Sequence, residues 1–301
     1  MWETNGCSKL CQPNFLRLPH ERDSQISPDN QNTSHFPINQ FSPLANARHT
    51  GMHDGQAGKM PVFTDNGESA AMPAPHDPTT WQAFSQLINA RRSMRGYLPK
   101  PVERSLIEEI LTVASRSPSG TNTQPWRVHV LTGDALDRVV RAVCTAYDAE
   151  PNRCDSVIYS NLDGEPYLSR KRSLGKAMYG LMGIVKGDTD AMLAQRRRNF
   201  EFFGAPVGIF VTVDKALGVG SWLDTGMFMQ SLMLAAKARG LDTCPQGFWV
   251  QYESVVAQAV GLPENERLVS GIALGYADPS VPENALRSER AALDEFAVIH
   301  D

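Results

Sequence analysis

The 301-residue chain lacks three features that would indicate a nucleic-acid-binding, membrane or secreted protein. It has no large excess of charge, because 29 Lys and Arg against 33 Asp and Glu give a net charge of −4, and nothing therefore favours nucleic acid or an anionic membrane as a partner. It has no run of about 18 apolar residues, the length that a membrane span requires. Its first residues show no basic stretch followed by an apolar one, so we expect no secretory signal.

Cysteine is also sparse. The five cysteines, an odd number, are scattered along the chain at Cys7, Cys11, Cys144, Cys154 and Cys244. This pattern argues against a disulfide framework and predicts a protein of the reducing cytoplasm. Cys7 and Cys11 have no other ligand type close by in sequence, so we predict no metal site there.

Histidine and the common phosphate-binding motifs are nearly absent from the part of the chain with globular patterning. Only His129 and His300 follow residue 77, which leaves little material for a Ser–His–Asp or Cys–His arrangement. No G-x-S-x-G elbow occurs. Neither a G-x-G-x-x-G motif after a strand nor a P-loop is present. Hydrolytic chemistry is therefore poorly supported, and redox chemistry carried by a bound cofactor remains.

Residues 1–76 differ from the rest in composition. They contain eight of the 20 prolines and five of the seven histidines, without helical or strand periodicity. Such a segment buries too little apolar area to offset the entropy of ordering it. We predict a disordered or loosely attached tail over 1–76 and a folded domain over 77–301. A natural start further along, at Met52 or Met60, is an open alternative.

The folded part reads as an α+β domain. Apolar spacing predicts a set of helices and strands: helices over 81–90, 101–115, 134–147 and 222–239, a largely helical stretch over 167–203, and strands over 126–132, 207–213 and 268–276. The uninterrupted apolar run at 207–213 predicts a strand buried on both faces, and the helix at 222–239 is apolar nearly all round, which predicts a core or a subunit interface. Because helices and strands intermingle without a βαβ repeat, a layered α+β arrangement is favoured over a doubly wound one.

Residues 117–126, here called the polar loop, are the most informative stretch. The sequence Ser-Pro-Ser-Gly-Thr-Asn-Thr-Gln-Pro-Trp predicts a turn-rich connection whose backbone N–H groups can face outward. Asn122 and Gln124 add amide donors and acceptors. Such a loop suits the edge of a flat, polar heterocycle, although an ordinary helix-to-strand connection explains the same composition.

Two arginine clusters could hold a phosphate. Residues 91–95, here called the arginine segment, contain three arginines and a serine, which can form a fork-shaped clamp. Cations at the negative end of a helix are the alternative explanation. Residues 287–290 repeat the chemistry near the end of the chain. Between the clusters, residues 243–248 predict a Pro-Gln-Gly turn that presents backbone N–H groups to a ligand ring.

The motif Arg-Arg-Ser-x-Arg, followed by Ser-Pro-Ser-Gly-x-Asn-x-Gln-Pro-Trp, resembles the FMN-dependent nitroreductase family. The resemblance extends over residues 79–300 in the right order. It implies a three-layer α+β fold in which helices flank a central, mostly antiparallel sheet. It also implies an intimate homodimer with two FMN sites at the interface.

The resemblance further implies which residues bind the cofactor. The phosphate and ribityl chain of FMN would be held by Arg91, Arg92, Ser93, Arg95, Arg287 and Arg290. The isoalloxazine ring would be bordered, from the other subunit, by Pro118, Ser119 and Asn122. Along the same ring, with a backbone N–H meeting flavin N5, would lie Pro245, Gln246 and Gly247.

The activity implied is a ping-pong reduction of nitroaromatic compounds to nitroso and hydroxylamino products, with NAD(P)H as electron donor. No side chain is an obligatory acid, since flavin N5–H and solvent can supply protons, and no metal is expected. The stretch 167–203 would form a substrate lid that includes Tyr179, Asn199, Phe202 and Phe203, although core packing explains its aromatic residues equally well. Arg196, Arg197 and Arg198 would contact a phosphate or carboxylate, or form a solvated helix face.

Two alternatives use the same fold. The protein could be an NAD(P)H-dependent flavin, quinone or enone reductase, since the substrate depends on lid residues rather than on the fold. It could also be a flavin-binding module without turnover that uses its first 76 residues for partner contacts.

Overall fold

The computed structural model describes residues 78–157, 159–160 and 162–300. The predicted tail over 1–76 lies outside these residues. The described helices are α1 Pro78–Ala90, α2 Arg104–Ala114, α3 Gly133–Ala149, α4 Tyr167–Leu181, α5 Thr189–Arg197, α6 Val219–Ala238 and α7 Glu253–Val260. The described strands are β1 Arg127–Thr132, β2 Val207–Asp214, β3 Asp242–Gln246 and β4 Glu266–Gly275.

The four strands form one antiparallel sheet in the order β1-β2-β4-β3. Strand β2 lies inside it and is buried from Val207 to Val213, as its continuous apolar sequence predicts. Its side chains alternate between two apolar clusters: Ile209 packs with α2 and α6, and Phe210 packs with α3 and α7. The predicted three-layer α+β arrangement is confirmed.

The end of α6 follows from its sequence. Gly240 has φ 75°, a left-handed conformation that glycine adopts without steric cost and that commonly ends a helix. Two elements, β3 and α7, were not predicted as regular structure. The predicted helical stretch 167–203 is broken between α4 and α5, where Gly183 and Gly187 have positive φ.

Two helices expose apolar side chains to solvent in the single chain. Helix α1 buries none of its residues, and its Trp81 is 67 % exposed. Leu223 of α6 is 69 % exposed although the other face of that helix lies in the core. Extended apolar exposure of this kind typically marks a contact with another chain. No helix within the described residues is long and apolar enough to cross a membrane.

Two of the cysteines, Cys144 and Cys244, are free and buried. Burial raises the pKa of each thiol to about 11.

Candidate cofactor site

The arginine segment leaves α1 and runs beside the edge strand β3. Ser93 forms a parallel bridge with Thr243, and the backbone N–H of Met94 donates to the Thr243 carbonyl at 3.1 Å. The arginine segment therefore extends the sheet at its open edge. This pairing brings two of the stretches singled out in the sequence, residues 91–95 and 243–248, into direct contact.

The positive charge of the arginines at this edge is not neutralised by ion pairs with carboxylates of the described residues. Within the described part of the chain, the ion pairs use other arginines and leave out Arg91, Arg92, Arg95 and Arg290. Arg91 is half-buried, and its pKa is lowered first by burial and then by the charge of Arg290. The two guanidinium groups are thus close enough to repel one another. A site with this excess of positive charge fits a phosphate dianion.

The late arginines are placed differently from each other. Arg290 folds back on its own turn, donating from Nη1 to Ser288 Oγ at 2.8 Å and to the Glu289 carbonyl at 2.8 Å. Arg287 is exposed. The structure brings Arg290 towards Arg91, while a phosphate contact from Arg287 stays a prediction.

Some buried side-chain polar atoms that lack a hydrogen-bond partner lie along the arginine segment and β3. Among the described residues, five buried side-chain polar atoms make no hydrogen bond: Arg92 Nε, Thr243 Oγ1 and Gln246 Oε1 at this edge, and Arg196 Nε and Trp249 Nε1 elsewhere. Leaving such a group unsatisfied costs about 1–3 kcal/mol, so native proteins usually provide each with a partner. The Arg92 Nε donates, the Gln246 Oε1 accepts and the Thr243 hydroxyl can do both. Beside unpaired arginines, these groups fit a phosphorylated, hydrogen-bonding cofactor such as FMN.

The predicted Pro-Gln-Gly turn is wrong in its position. Pro245 and Gln246 complete β3, pairing with Ile272 and Gly271 of β4, and the chain turns only at Gly247. Pro245 can occupy the open edge of a sheet because it has no N–H to donate to a further strand. The side-chain amide of Gln246 donates to the Asn199 carbonyl at 2.7 Å.

The polar loop contains strained backbone. Thr121, Asn122 and Gln124 have φ of 50°, 59° and 47°, a region that costs L-residues roughly 1–2 kcal/mol each. The loop is tied at one side: Gly120 N–H donates to Asp224 of α6 at 3.2 Å, and Ser119 Oγ accepts from the N–H of Gln124 at 2.9 Å. Strain kept by such ties is typical of functional loops.

Within one chain the polar loop does not join the arginine segment. Pro118 and Asn122 are exposed and Ser119 is half-buried. No hydrogen bond or ion pair among the described residues links residues 117–126 to residues 91–95. Completion of one site by the polar loop of another chain stays a prediction.

The residues predicted for the substrate lid separate into two groups. Tyr179 is half-buried, and burial raises its pKa. Asn199 is half-buried beside Gln246. Phe202 and Phe203 are buried in the core, where the Phe202 ring lies 4.4 Å from the Trp249 ring. We therefore assign these two rings to the core rather than to the lid.

Arg196, Arg197 and Arg198 all bond to other residues of the molecule, and their contact with a phosphate or carboxylate stays a prediction. Arg196 donates to the Pro151 carbonyl. Arg197 binds both carboxylate oxygens of Asp148, at 2.8 and 3.1 Å. Arg198 pairs with the buried Glu283.

Asn284 was not predicted from sequence, yet it holds the arginine segment in place. Its Oδ1 accepts from the N–H of Arg95 at 2.6 Å, its Nδ2 donates to the Gly96 carbonyl at 2.8 Å, and its own carbonyl accepts from Arg92 Nη1 at 3.0 Å. A single buried asparagine in a loop has no periodicity that would reveal it. The only signal was its position shortly before the late arginine cluster.

Known proteins are similar to this chain over most of its folded part. The nitroreductase family model matches residues 88–276. Nitrobenzene nitroreductase of Ectopseudomonas oleovorans is 38 % identical over 221 residues, covering 72 % of this chain and 97 % of that protein. Chloronitrobenzene nitroreductase of Comamonas testosteroni is 39 % identical over the same length and shares of the two chains.

Two solved structures are also similar. The FMN- and NADPH-dependent nitroreductase NfnB from Sphigopyxis sp. strain HMH is 35 % identical with a TM-score of 0.70, covering 72 % of this chain and 98 % of that one. The FMN-dependent nitroreductase NfnB from Mycobacterium smegmatis, in complex with NADPH, is 32 % identical with a TM-score of 0.71, covering 74 % and 100 %.

Proposed function

The chain belongs to the nitroreductase family, and from that premise we propose that it is an FMN-dependent NAD(P)H nitroreductase acting on nitroaromatic compounds. The observation that carries this function is the group of unpaired arginines along the edge of β3, with buried polar atoms between them. The relatives named for nitrobenzene and chloronitrobenzene reduction support the substrate class.

We propose that the arginine segment binds the phosphate end of FMN. Arg91, Arg92, Ser93 and Arg95 contribute the first cluster, and Arg290 with Arg287 the second. Charge-assisted hydrogen bonds from guanidinium groups to phosphate are short and strong, and the repulsion between Arg91 and Arg290 is relieved when a dianion lies between them.

We propose that Pro245, Gln246 and Gly247 lie along the flavin ring. At the open edge of β3, the backbone N–H groups of Gln246 and Gly247 are candidates for hydrogen bonds to the ring. On the same grounds, Tyr179 and Asn199 are the lid residues that can meet a substrate, because both are only half-buried.

When bound, FMN accepts hydride from NAD(P)H and passes two electrons to the substrate, so that donor and nitro compound use the site in turn. Each round consumes one NAD(P)H and one proton: the first converts the nitro group to a nitroso group and water, the second converts nitroso to hydroxylamino. Among the described residues, His129 is engaged in a hydrogen bond with Glu266 at 2.9 Å. In this proposal, solvent supplies the protons.

We propose that two copies form a homodimer in which each polar loop reaches the partner's flavin through Pro118, Ser119 and Asn122. The open apolar side chains of α1 and α6 support this assembly, as does the absence of any bond between the polar loop and the arginine segment within the described chain. Burying Trp81 and Leu223 against a second copy removes apolar surface from water, which stabilises association.

We propose a cytoplasmic location because NAD(P)H is re-reduced inside the cell. Cell fractionation followed by detection of the protein tests this location.

The function is tested by anaerobic spectroscopy of the purified protein. We expect a yellow protein, bleaching on addition of NADPH or NADH, and return of the colour on addition of nitrobenzene with formation of hydroxylaminobenzene. A protein that cannot be loaded with FMN would refute the function. Recovery with free flavin, a quinone or an enone but not with nitrobenzene would indicate the alternative reductases, and a flavin that NAD(P)H does not bleach would indicate a binding module.

A further inference from the structure

We propose that Asn284 and the Arg198–Glu283 ion pair are positioning residues that fix the arginine segment for the FMN phosphate. The inference rests on the proposed function and adds three residues to it, none of which needs to touch the cofactor. All three belong to segments distant in sequence from residues 91–95.

Both backbone polar groups of Arg95 are held by these side chains. Its N–H donates to Asn284 Oδ1 at 2.6 Å, and its carbonyl accepts from Arg198 Nη2 at 2.8 Å. Because both the N–H and the C=O of Arg95 are hydrogen-bonded, the backbone at Arg95 cannot rotate without breaking a hydrogen bond in a largely buried place. The direction in which the Arg95 side chain leaves the backbone is therefore set by Asn284 and Arg198.

Asn284 also holds the residues on either side of Arg95. Its Nδ2 donates to the carbonyls of Gly96 and Asp278, at 2.8 and 2.9 Å, and its own carbonyl accepts from Arg92 Nη1. The side chain is buried and uses both its donor and its acceptor ends, so alanine at this position would lose three of these bonds and keep only the one made by the backbone carbonyl. Asn284 thus joins residues 92–96 to the 278–284 turn.

The Arg198–Glu283 ion pair has an additional electrostatic role. The Glu283 side chain is only 3 % exposed and lies next to Asn284 in sequence. Without Arg198 it would be an uncompensated buried anion close to the arginine segment, where it could capture the guanidinium groups meant for phosphate. Arg198 therefore keeps Glu283 neutralised and leaves Arg92 and Arg95 available.

Positioning of this kind raises affinity because the cost of ordering the binding groups is met during folding rather than on binding. A clamp of long arginine side chains gains most, since each free arginine loses much rotamer entropy when it is ordered. The effect should be confined to the phosphate, because residues 91–95 and not the ring-side residues are the ones held.

The test compares the affinities for FMN and for riboflavin, which lacks the phosphate, by fluorescence titration of the apoprotein. For Asn284→Ala we expect FMN affinity to fall about tenfold, the loss of roughly one charge-assisted contact, with riboflavin affinity unchanged. The matched control is Asn265→Ala, which removes an exposed amide bonded to Asp214 at the β2–β4 end of the sheet. It should change neither affinity.

A second pair of variants tests the charge argument even if Asn284→Ala fails to fold. Arg198→Ala should lower FMN affinity about tenfold, and adding Glu283→Gln should restore at least about threefold by removing the buried charge. Equal losses for FMN and riboflavin, or no loss of either, would overturn the positioning role. Failure of the wild-type protein to prefer FMN to riboflavin would instead refute the proposed phosphate site itself.

Discussion

The arginine segment and the polar loop were both predicted to bind the flavin, yet the structure builds them in opposite ways. The arginine segment pairs with β3 and is held by Asn284 and Arg198, so its conformation is complete within one chain. The polar loop is anchored at its two ends, where Ser117 bonds to Ser231 and Trp126 stacks on Phe228, and at Gly120, whereas its residues 121–124 are exposed. The arginine segment is thus held by bonds within one chain, whereas the tip of the polar loop faces outward.

The two regions also differ in the local effect that destabilises each of them. The arginine segment concentrates positive charge, and the lowered pKa of Arg91, due first to burial and then to Arg290, reflects it. The polar loop instead keeps three non-glycine residues at positive φ, each at roughly 1–2 kcal/mol. A bound anion relieves the repulsion between the arginines. The backbone strain of the polar loop persists because Asp224 and Ser119 hold the loop, which preserves its shape for a partner.

The largest effect is expected from separating the two chains. Leu223→Arg places a charge on the exposed apolar face of α6, and burying it unpaired in an interface costs several kcal/mol. If the polar loop completes the partner's site, the variant should become monomeric and lose FMN affinity by more than about 100-fold. Analytical ultracentrifugation and FMN titration measure the two effects.

Leu223→Met is the matched control for this experiment, since it keeps an apolar side chain at the same position. It should remain dimeric and retain FMN. A monomeric Leu223→Arg protein that binds FMN at full affinity would contradict the shared site and make the arginine segment sufficient alone.

The next largest effect is expected at the arginine clusters. Arg290→Ala removes a charge-assisted phosphate contact worth about 1.5–3 kcal/mol, so FMN should bind roughly 10- to 100-fold more weakly, with riboflavin unaffected. Arg239→Ala is the control, because Arg239 is exposed and pairs with Glu109 on the surface. Unchanged FMN affinity in Arg290→Ala would remove Arg290 from the site.

Sequence patterns predicted what depends on periodicity and composition. The buried strand at 207–213, the apolar helix α6 and the connection at 117–126 were predicted because each has a local signal. Pro245 and Gln246 were assigned to a turn because proline and glycine dominate that signal, whereas pairing with β4 keeps both residues extended.

Other features depend on contacts between distant residues. Phe202 and Phe203 were read as lid residues, but φ of 46° and 55° turns them into the core. Asn284 and Glu283 act through bonds to residues about 190 and 85 positions away. No local pattern encodes such partners, so the positioning residues emerged only from the structure.

A smaller effect is expected within the polar loop. Ser119→Ala removes the acceptor for the N–H of Gln124, a neutral hydrogen bond worth about 0.5–1.5 kcal/mol. FMN affinity and dimer affinity should therefore fall together, each by roughly 2- to 10-fold. Ser115→Ala is the control, since its hydroxyl bonds only the Thr112 carbonyl within its own helical turn. Loss of FMN affinity without weaker dimerisation would separate the loop from the interface.

The smallest effect on cofactor binding is expected at the opposite end of β4. Glu266 lies five residues before Gly271, the partner of Gln246, and so about 17 Å away along the strand. Burial alone would raise the pKa of Glu266, but hydrogen bonds from Thr212 and His129 and the charges of His129 and Arg127 outweigh it and lower the pKa. This carboxylate therefore stabilises the fold above the unfolded value near 4.5, and its contribution is lost as pH falls through the lowered native pKa.

Glu266→Gln should thus lower the free energy of unfolding by about 1–3 kcal/mol at pH 7, because a charged partner is removed from Thr212 and His129. The difference from wild type should shrink as the pH falls from 4.5 through the lowered native pKa, below which the wild-type carboxylate is also neutral. Urea unfolding of the apoprotein at several pH values measures both effects. FMN affinity at pH 7 should be unchanged, because neither the arginine segment nor the polar loop depends on this end of the sheet. A parallel fall in FMN affinity would contradict this independence and would mean that cofactor binding depends on the stability of the far end of the sheet.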